Sequence, residues 1–403
     1  MKLQIFEPDI LKNMLIKDSM IDYDNHSSFP TSSKEWTCSQ LPLDEFNRIY
    51  KNLESGCRSE NWPQLLDLIR TIFDSFILDD NDPLERAFIS ELKANAESMV
   101  SSHINFYTSC LNLKKLRIFQ LEQTDKCLIQ GFITPSTMAE ITNCTQIEFR
   151  ALLNAASHGK TDRQSLSRNS GSKIRHLIRV LNREFKRNGI LDQLSEVFPG
   201  SIKVVGAAVE LSVPHAEWWS HSDVQIKAPK TLYAHLDEGI DAPKAIVYLS
   251  DVEGSNGPFS YFPDIYEKLN LTGIQSLVGR CITNVGSNEN SVLYNAYGSS
   301  IRRTSSELFR RHFMKLPAEL KFNSHFGWDV VSGSSLESEM IKSEVKVLGE
   351  RGTFLVFDGG RTVHRGGLVQ EGHRKAVQVI FGPMGFRAHL GRLARFLLRK
   401  IRR

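Results

Sequence analysis

Three residues have the types and spacing of a metal site. His235 and Asp237 stand two positions apart beside a strand-like apolar run, and His364 lies beside another such run much further along the chain. Residues i and i+2 of a β-strand point to the same face, so His235 and Asp237 can present an imidazole and a carboxylate to one ion. His364 would complete a set of two histidines and one carboxylate. That set suits non-heme Fe(II) and leaves positions open for an oxidisable co-substrate and oxygen.

Arg374, ten residues after His364, is suited to bind the co-substrate. A bidentate 2-oxo acid would occupy two of the open positions, and its far carboxylate needs a cationic partner. A guanidinium is always charged and pairs with a carboxylate through two parallel hydrogen bonds. Tyr233, Lys244 and Tyr248 lie on or near the metal-bearing strands and are further candidates to hydrogen-bond the co-substrate. They are equally compatible with packing or edge positions.

The same spacing of histidine and aspartate occurs once more, at His221 and Asp223. We prefer the pair at 235 and 237, because an apolar strand at 244–252 and an Asn-Gly-Pro-Phe turn follow it. The earlier pair is followed by a polar segment that contains lysines. His364 is read as a ligand rather than a surface histidine because two glycines and Arg374 follow it.

The composition is ordinary for a globular protein. The chain has 403 residues, of which 41% are hydrophobic and 24% charged, and it carries a net charge of +4. Its six cysteines are scattered without a C-x-x-C pair, and the N-terminus lacks the apolar core of a signal peptide. No apolar stretch approaches the roughly 20 residues of a spanning helix. We therefore expect a cytoplasmic protein that does not cross a membrane.

The positive charge is concentrated in the tail at 386–403, which holds seven arginine or lysine residues and no acidic one. Apolar residues recur there at steps of three and four, which predicts an amphipathic helix with a cationic face. Two interpretations stay open. The helix either lies on an anionic membrane surface, giving peripheral association, or packs its apolar stripe on the protein body.

The remaining chain divides into a helical and a strand-rich part. Residues 1–199 are predicted to be mainly helical, with helices at 63–78, 83–113 and 170–189. The basic face of the third helix is either solvated or a site for an acidic partner. Residues 200–385 contain short β-rich runs divided by Gly and Pro turns, with an insert at about 265–350 that could include a lid. We expect an α+β protein whose strands form a double-sheet jelly roll.

Several sequence blocks, in order and spacing, resemble the phytanoyl-CoA dioxygenase family of Fe(II)/2-oxoglutarate oxygenases. The blocks are His235-Leu236-Asp237, 244–252, Asn256-Gly257-Pro258-Phe259, 352–358, His364-Arg365-Gly366-Gly367 and Arg374. The likeness covers residues 202–383 and leaves the N-terminal half unmatched. It implies a distorted double-stranded β-helix in which 2-oxoglutarate chelates iron and is decarboxylated to succinate.

The leading hypothesis is an Fe(II)- and 2-oxoglutarate-dependent dioxygenase that hydroxylates a small-molecule or a lipid- or sugar-linked metabolite with O2. Halogenation is disfavoured, because enzymes of that type leave the carboxylate position vacant for halide, whereas Asp237 is present. The alternative is a non-catalytic jelly-roll binding protein tethered to a membrane surface by its basic tail. A nucleic-acid demethylase ranks third, since no base-stacking aromatic platform accompanies the basic residues.

Overall fold

The computed structural model describes residues 34–55, 59–79, 81–111, 129–157, 171–198, 201–213, 236–237, 239, 242–263, 265–297, 306–321, 339, 342–367 and 369–383. Its helices fall into two groups, six before residue 200 and four after residue 264. The first six are α1 Leu43–Glu54, α2 Gln64–Asp74, α3 Pro83–Leu111, α4 Pro135–Ser157, α5 Gly171–Arg187 and α6 Ile190–Val197. The later four are α7 Ile265–Lys268, α8 Gly273–Cys281, α9 Val292–Ala296 and α10 Glu307–Lys315, with a 3-10 turn at Ile282–Asn284.

Ten strands are described, and all of their pairings are antiparallel. They are β1 Thr37–Cys38, β2 Phe76–Ile77, β3 Ile129–Phe132, β4 Ile202–Ser212, β5 Pro243–Tyr248, β6 Phe259–Tyr261, β7 Val345–Val347, β8 Thr353–Asp358, β9 His364–Arg365 and β10 Arg374–Pro383. A five-stranded sheet has the order β3-β8-β5-β10-β4, and a three-stranded sheet has the order β7-β6-β9. Strands β1 and β2 pair separately.

The five-stranded sheet is buried on both faces, which explains its nearly continuous apolar strands. Along β5, Ala245 and Val247 point to one face and pack with helices α4, α5 and α6. Ile246 and Tyr248 point to the opposite face and pack with Phe259 and other residues of the three-stranded sheet. The two sheets therefore enclose a shared core, and that enclosed face is where the candidate site residues lie.

A second core joins the N-terminal helices to the helices that follow β6. Buried residues of α1, α2 and α3 form one cluster with Leu277 and Val278 of α8 and Phe309 and Phe313 of α10. The helices in the range predicted as a lid insert are thus packed on the N-terminal half. The same range also contains β7, a strand of the small sheet.

The predicted helix at 170–189 matches α5, which ends before Gly189 in the left-handed conformation (φ 73°). The helix predicted to continue to residue 78 ends at Asp74, because Phe76 and Ile77 pair with Cys38 and Thr37. The N-terminal half also supplies β3 to the large sheet, which its helical periodicity did not indicate.

Among the described residues, every helix is too short or too polar to cross a lipid bilayer. The predicted tail helix at 386–403 lies outside the described residues, so both interpretations of it stay predictions.

Candidate metal and co-substrate site

Asp237 and His364 are brought together from distant parts of the chain. Nε2 of His364 lies 4.0 Å from Oδ2 of Asp237, and both side chains are largely buried. His364 belongs to β9, whereas Asp237 precedes β5. The third predicted ligand, His235, lies outside the described residues, as do Tyr233 and the competing pair His221 and Asp223. Within the described part of the chain, no group of three or more His, Cys, Asp or Glu side chains is arranged for a metal ion.

The imidazole of His364 is oriented by its own backbone. Nδ1 lies 2.8 Å from the carbonyl oxygen of Thr362. A carbonyl oxygen can only accept, so Nδ1 carries a proton, and in the neutral imidazole Nε2 is then the nitrogen with the lone pair that a metal requires. The ring packs against Phe259 and Phe357, with centroid distances of 5.7 Å and 4.7 Å, and the two phenyl rings also contact each other. The lone pair of Nε2 is therefore held on the side of the ring nearest to Asp237.

Asp237 is held through both its backbone and its carboxylate. Its N–H donates to the carbonyl oxygen of Gly359 at 2.8 Å. The ammonium group of Lys244 donates to Oδ1 at 2.5 Å, while Oδ2 faces His364. A side chain at Gly359 would overlap the carboxylate, since a Cβ built there lies 2.7 Å from Cγ of Asp237 and closer still to Oδ2. The lack of a side chain at position 359 is thus a condition for this arrangement.

The turn that follows β8 fixes the backbone next to Asp237. Oδ1 of Asp358 accepts from the N–H groups of Ala242 and Gly360, and Oδ2 accepts from Arg361. The N–H of Gly359 in turn donates to the carbonyl oxygen of Ala242 at 2.9 Å. These bonds tie the turn after β8 to the segment between Asp237 and β5.

Arg374 begins β10 and is buried on the enclosed face of the large sheet. Nη2 donates to the hydroxyl of Ser212, its register partner on β4, at 3.0 Å, and Nη1 donates to the carbonyl oxygen of Gly257. Gly366, two residues after His364, lies next to this guanidinium, since a Cβ built there would be 3.4 Å from Nη2. The guanidinium is therefore close to the strand that carries His364.

The sequence blocks at 256–259 and 364–367 meet in space just before β6. Gly367 packs directly on Gly257 and Pro258, where a Cβ would lie 2.7 Å and 2.9 Å from their backbone atoms. Asn256 forms an isolated bridge with Val369. The Asn-Gly-Pro turn and the Gly-Gly pair thus meet beside Arg374, a close approach that needs glycine.

Two residues considered for the co-substrate have bonds within the protein. The Tyr248 hydroxyl donates to the carbonyl oxygen of Val347 and accepts from the N–H of Phe259, which joins the two sheets. Burial raises its pKa to about 12, so it stays protonated. Lys244 bonds to Asp237. A contact of Tyr248 or Lys244 with a co-substrate stays a prediction.

The sequence matches no protein-family model and no curated protein. Similar solved structures include AviO1 from Streptomyces viridochromogenes, with 10% identity, a TM-score of 0.30 and coverage of 63% of this chain and 89% of that chain. HygX from Streptomyces hygroscopicus, with nickel and 2-oxoglutarate bound, has 13% identity and a TM-score of 0.29, covering 64% of this chain and 83% of its own. SnoN, a non-heme alpha-ketoglutarate-dependent epimerase from nogalamycin biosynthesis, has 14% identity and a TM-score of 0.32, with coverage of 64% of this chain and 78% of that chain. TM-scores this low do not establish a common fold.

Three residues of the site escaped the sequence analysis. Ser212 contacts Arg374, Thr362 orients His364, and Gly359 leaves room for Asp237. The Asp-Gly-Gly sequence at the end of β8 is a turn signal that could have drawn attention to Gly359. Ser212 and Thr362 carry no such signal, because their roles depend on register and on a carbonyl group.

Proposed function

We propose that this protein is an Fe(II)- and 2-oxoglutarate-dependent oxygenase that hydroxylates a small-molecule or a lipid- or sugar-linked metabolite and releases succinate and CO2. The observation that carries the proposal is the approach of Asp237 Oδ2 and His364 Nε2 to 4.0 Å. The two atoms come from separate parts of the fold, and each is oriented by other bonds.

The residues fit a metal ion of this kind. Metal bonds to histidine nitrogen and carboxylate oxygen are about 2.0–2.2 Å long, so neighbouring ligands of a six-coordinate ion lie about 3 Å apart, and a shift of about 1 Å would bring these two donor atoms from 4.0 Å to that separation. Lys244 contacts Oδ1 of Asp237, and Oδ2 is the oxygen that faces His364 and would bond to the metal. His235 is proposed as the third ligand from its spacing to Asp237.

Arg374 is proposed to bind the far carboxylate of 2-oxoglutarate. Its guanidinium is buried and always charged, and it donates hydrogen bonds to the Ser212 hydroxyl and the carbonyl oxygen of Gly257. The Ser212 hydroxyl can rotate to donate to a carboxylate while it accepts from Arg374. When bound, ferrous iron and 2-oxoglutarate would supply oxygen activation and oxidative decarboxylation to succinate.

We further propose that the two sheets form a double-stranded β-helix. The order of the strands along the chain supports this, because β5 lies in the large sheet, β6 and β7 in the small sheet, and β8, β9 and β10 in the large, small and large sheets. A chain that passes repeatedly between two facing sheets is the arrangement of a jelly roll.

The test is an anaerobic titration of the full-length protein with Fe(II) and 2-oxoglutarate, in which the chelate gives a weak visible charge-transfer band. We expect a band that saturates at one equivalent and is absent in Asp237→Ala. Production of succinate in air then distinguishes an enzyme from a binding protein, which cannot decarboxylate the keto acid. A missing band, or one that Asp237→Ala leaves unchanged, contradicts the proposal.

A further inference from the structure

Arg280 of helix α8 reaches the backbone of the candidate metal ligand from the helical side of the protein. Its side chain is only 1% exposed. Nη1 donates to the carbonyl oxygens of Asp237 at 3.3 Å and of Gly239 at 3.0 Å. Nη2 donates to Oε1 of Glu54 at 3.1 Å and to the Tyr266 hydroxyl at 3.3 Å. One guanidinium thus connects the metal-site segment to helices α1 and α7.

Glu54, the last residue of α1, holds the guanidinium in place. Its Oε1 also accepts from the hydroxyls of Tyr266 at 2.7 Å and Ser276 at 2.8 Å. Burial opposes ionisation of Glu54, but Arg280 and the two hydroxyl donors outweigh it, so the pKa of this carboxyl is lowered from its ordinary value. Glu54 therefore stays ionised at neutral pH and pairs with a buried cation.

The same helix end contacts the turn on the other side of the site. The backbone carbonyl of Glu54 accepts from Nη2 of Arg361 at 2.6 Å, and Nη1 of Arg361 bonds to Asp358. Asp237 is consequently fixed at both ends of its backbone, by Gly359 at its N–H and by Arg280 at its carbonyl oxygen. This leaves little freedom for the peptide that carries the carboxylate.

We propose that Arg280 is a positioning residue for Asp237, with Glu54 and Tyr266 holding the guanidinium, so that helices α1, α7 and α8 form the support of the metal site. This inference rests on the proposed function and gives the helical half a role in it. Arg280 does not touch the metal or the co-substrate. It acts by fixing the backbone from which the carboxylate of Asp237 projects.

The discriminating variant is Arg280→Lys, in the full-length protein. Lysine keeps the charge beside Glu54, but one ammonium group cannot reproduce the planar fork that reaches two carbonyl oxygens and a carboxylate. Val278→Ala and Leu277→Ala are the matched controls. Both residues are fully buried on the same helix, and neither has a polar side-chain group that could bond to the carbonyl oxygens of residues 237–239. Their substitution reports what a general loss of stability does to the two measured quantities.

We measure two quantities for each variant. The first is the Fe(II) dissociation constant from the charge-transfer titration with 2-oxoglutarate. Loss of a group that orients a metal ligand typically weakens metal affinity about 10- to 100-fold, and we expect this for Arg280→Lys. The second is amide hydrogen exchange of the peptide covering 236–242 in metal-free protein, which should accelerate at least about tenfold. The two controls should lower the melting temperature without either change.

The outcomes separate this inference from the proposed function. If the wild type shows no Asp237-dependent Fe(II) binding, the proposed function fails, and the exchange rates still report whether Arg280 holds the segment. Wild-type affinity and exchange in Arg280→Lys, or equal losses in Val278→Ala, would overturn the inference. Should Arg280→Lys fail to fold, Tyr266→Phe removes one partner of the guanidinium, and a several-fold weaker affinity is expected there; wild-type affinity in Tyr266→Phe would likewise count against it.

Discussion

Gly359→Ala perturbs the candidate metal ligand with a single methyl group. The added carbon would lie 2.7 Å from Cγ of Asp237, whereas carbon atoms in contact prefer a separation of about 3.5–4.0 Å. The carboxylate must therefore move by about 1 Å, since the turn at 359 is bonded to Ala242 and Asp237 through its backbone. Alanine is otherwise acceptable there, because Gly359 is not in the left-handed region.

The displacement acts on the atom pair that the proposal needs. Oδ2 would leave its position 4.0 Å from Nε2 of His364. A change that disturbs the orientation of a metal ligand typically weakens metal affinity about 10- to 100-fold, and we expect the upper end here, a rise of about 100-fold in the Fe(II) dissociation constant, equivalent to about 2.7 kcal/mol. The fold should survive, because an overpacked site typically loses only about 1–3 kcal/mol of unfolding free energy.

The assay is the anaerobic Fe(II) titration in the presence of saturating 2-oxoglutarate, with melting temperature measured in parallel. Gly206→Ala is the matched control, because a Cβ at Gly206 makes an ordinary contact of 3.5 Å with Ile380. It should retain wild-type affinity. If Gly359→Ala binds Fe(II) within about threefold of the wild type while Asp237→Ala does not bind, the carboxylate of Asp237 does not lie against position 359.

Three further predictions concern other parts of the protein. Arg374→Lys loses the two parallel hydrogen bonds to the co-substrate carboxylate, so the 2-oxoglutarate concentration at half-saturation should rise about 10- to 100-fold in the same titration. An unchanged concentration would mean that another residue binds that carboxylate. Burial opposes ionisation of Glu344, but Arg365 outweighs it and lowers the pKa of Glu344. The stability from this pair is therefore present above pH 4.5 and lost as the pH falls through the lower folded pKa. Glu344→Gln should cost about 3 kcal/mol in urea unfolding at pH 7 and much less in acid; an equal cost at both values would contradict the pairing. Deleting residues 386–403 should release the protein from anionic vesicles at low salt, and unchanged partitioning would argue for a tail packed on the body.

Local sequence patterns predicted the elements that carry their own periodicity. The stripe of α5 and the apolar runs of β5, β8 and β10 are long enough to be recognised without knowledge of their partners. Strands β7 and β9 have three and two residues, so their pairing with β6 could not be predicted from propensity. Strand β3 was not predicted, because it lies in the helical half of the chain, far before the other strands of its sheet, which begin at Ile202.

The sequence by itself determined which chemical groups the protein can offer: a carboxylate and imidazoles at metal-binding spacing, a late arginine, and a basic tail. Only the tertiary structure decided which of them meet. The approach of His364 to Asp237, the space left by Gly359, and the support of Asp237 by Arg280 and Glu54 all join residues that are far apart in the chain. Such contacts leave no local periodicity, because they depend on sheet register and helix packing rather than on neighbouring residues.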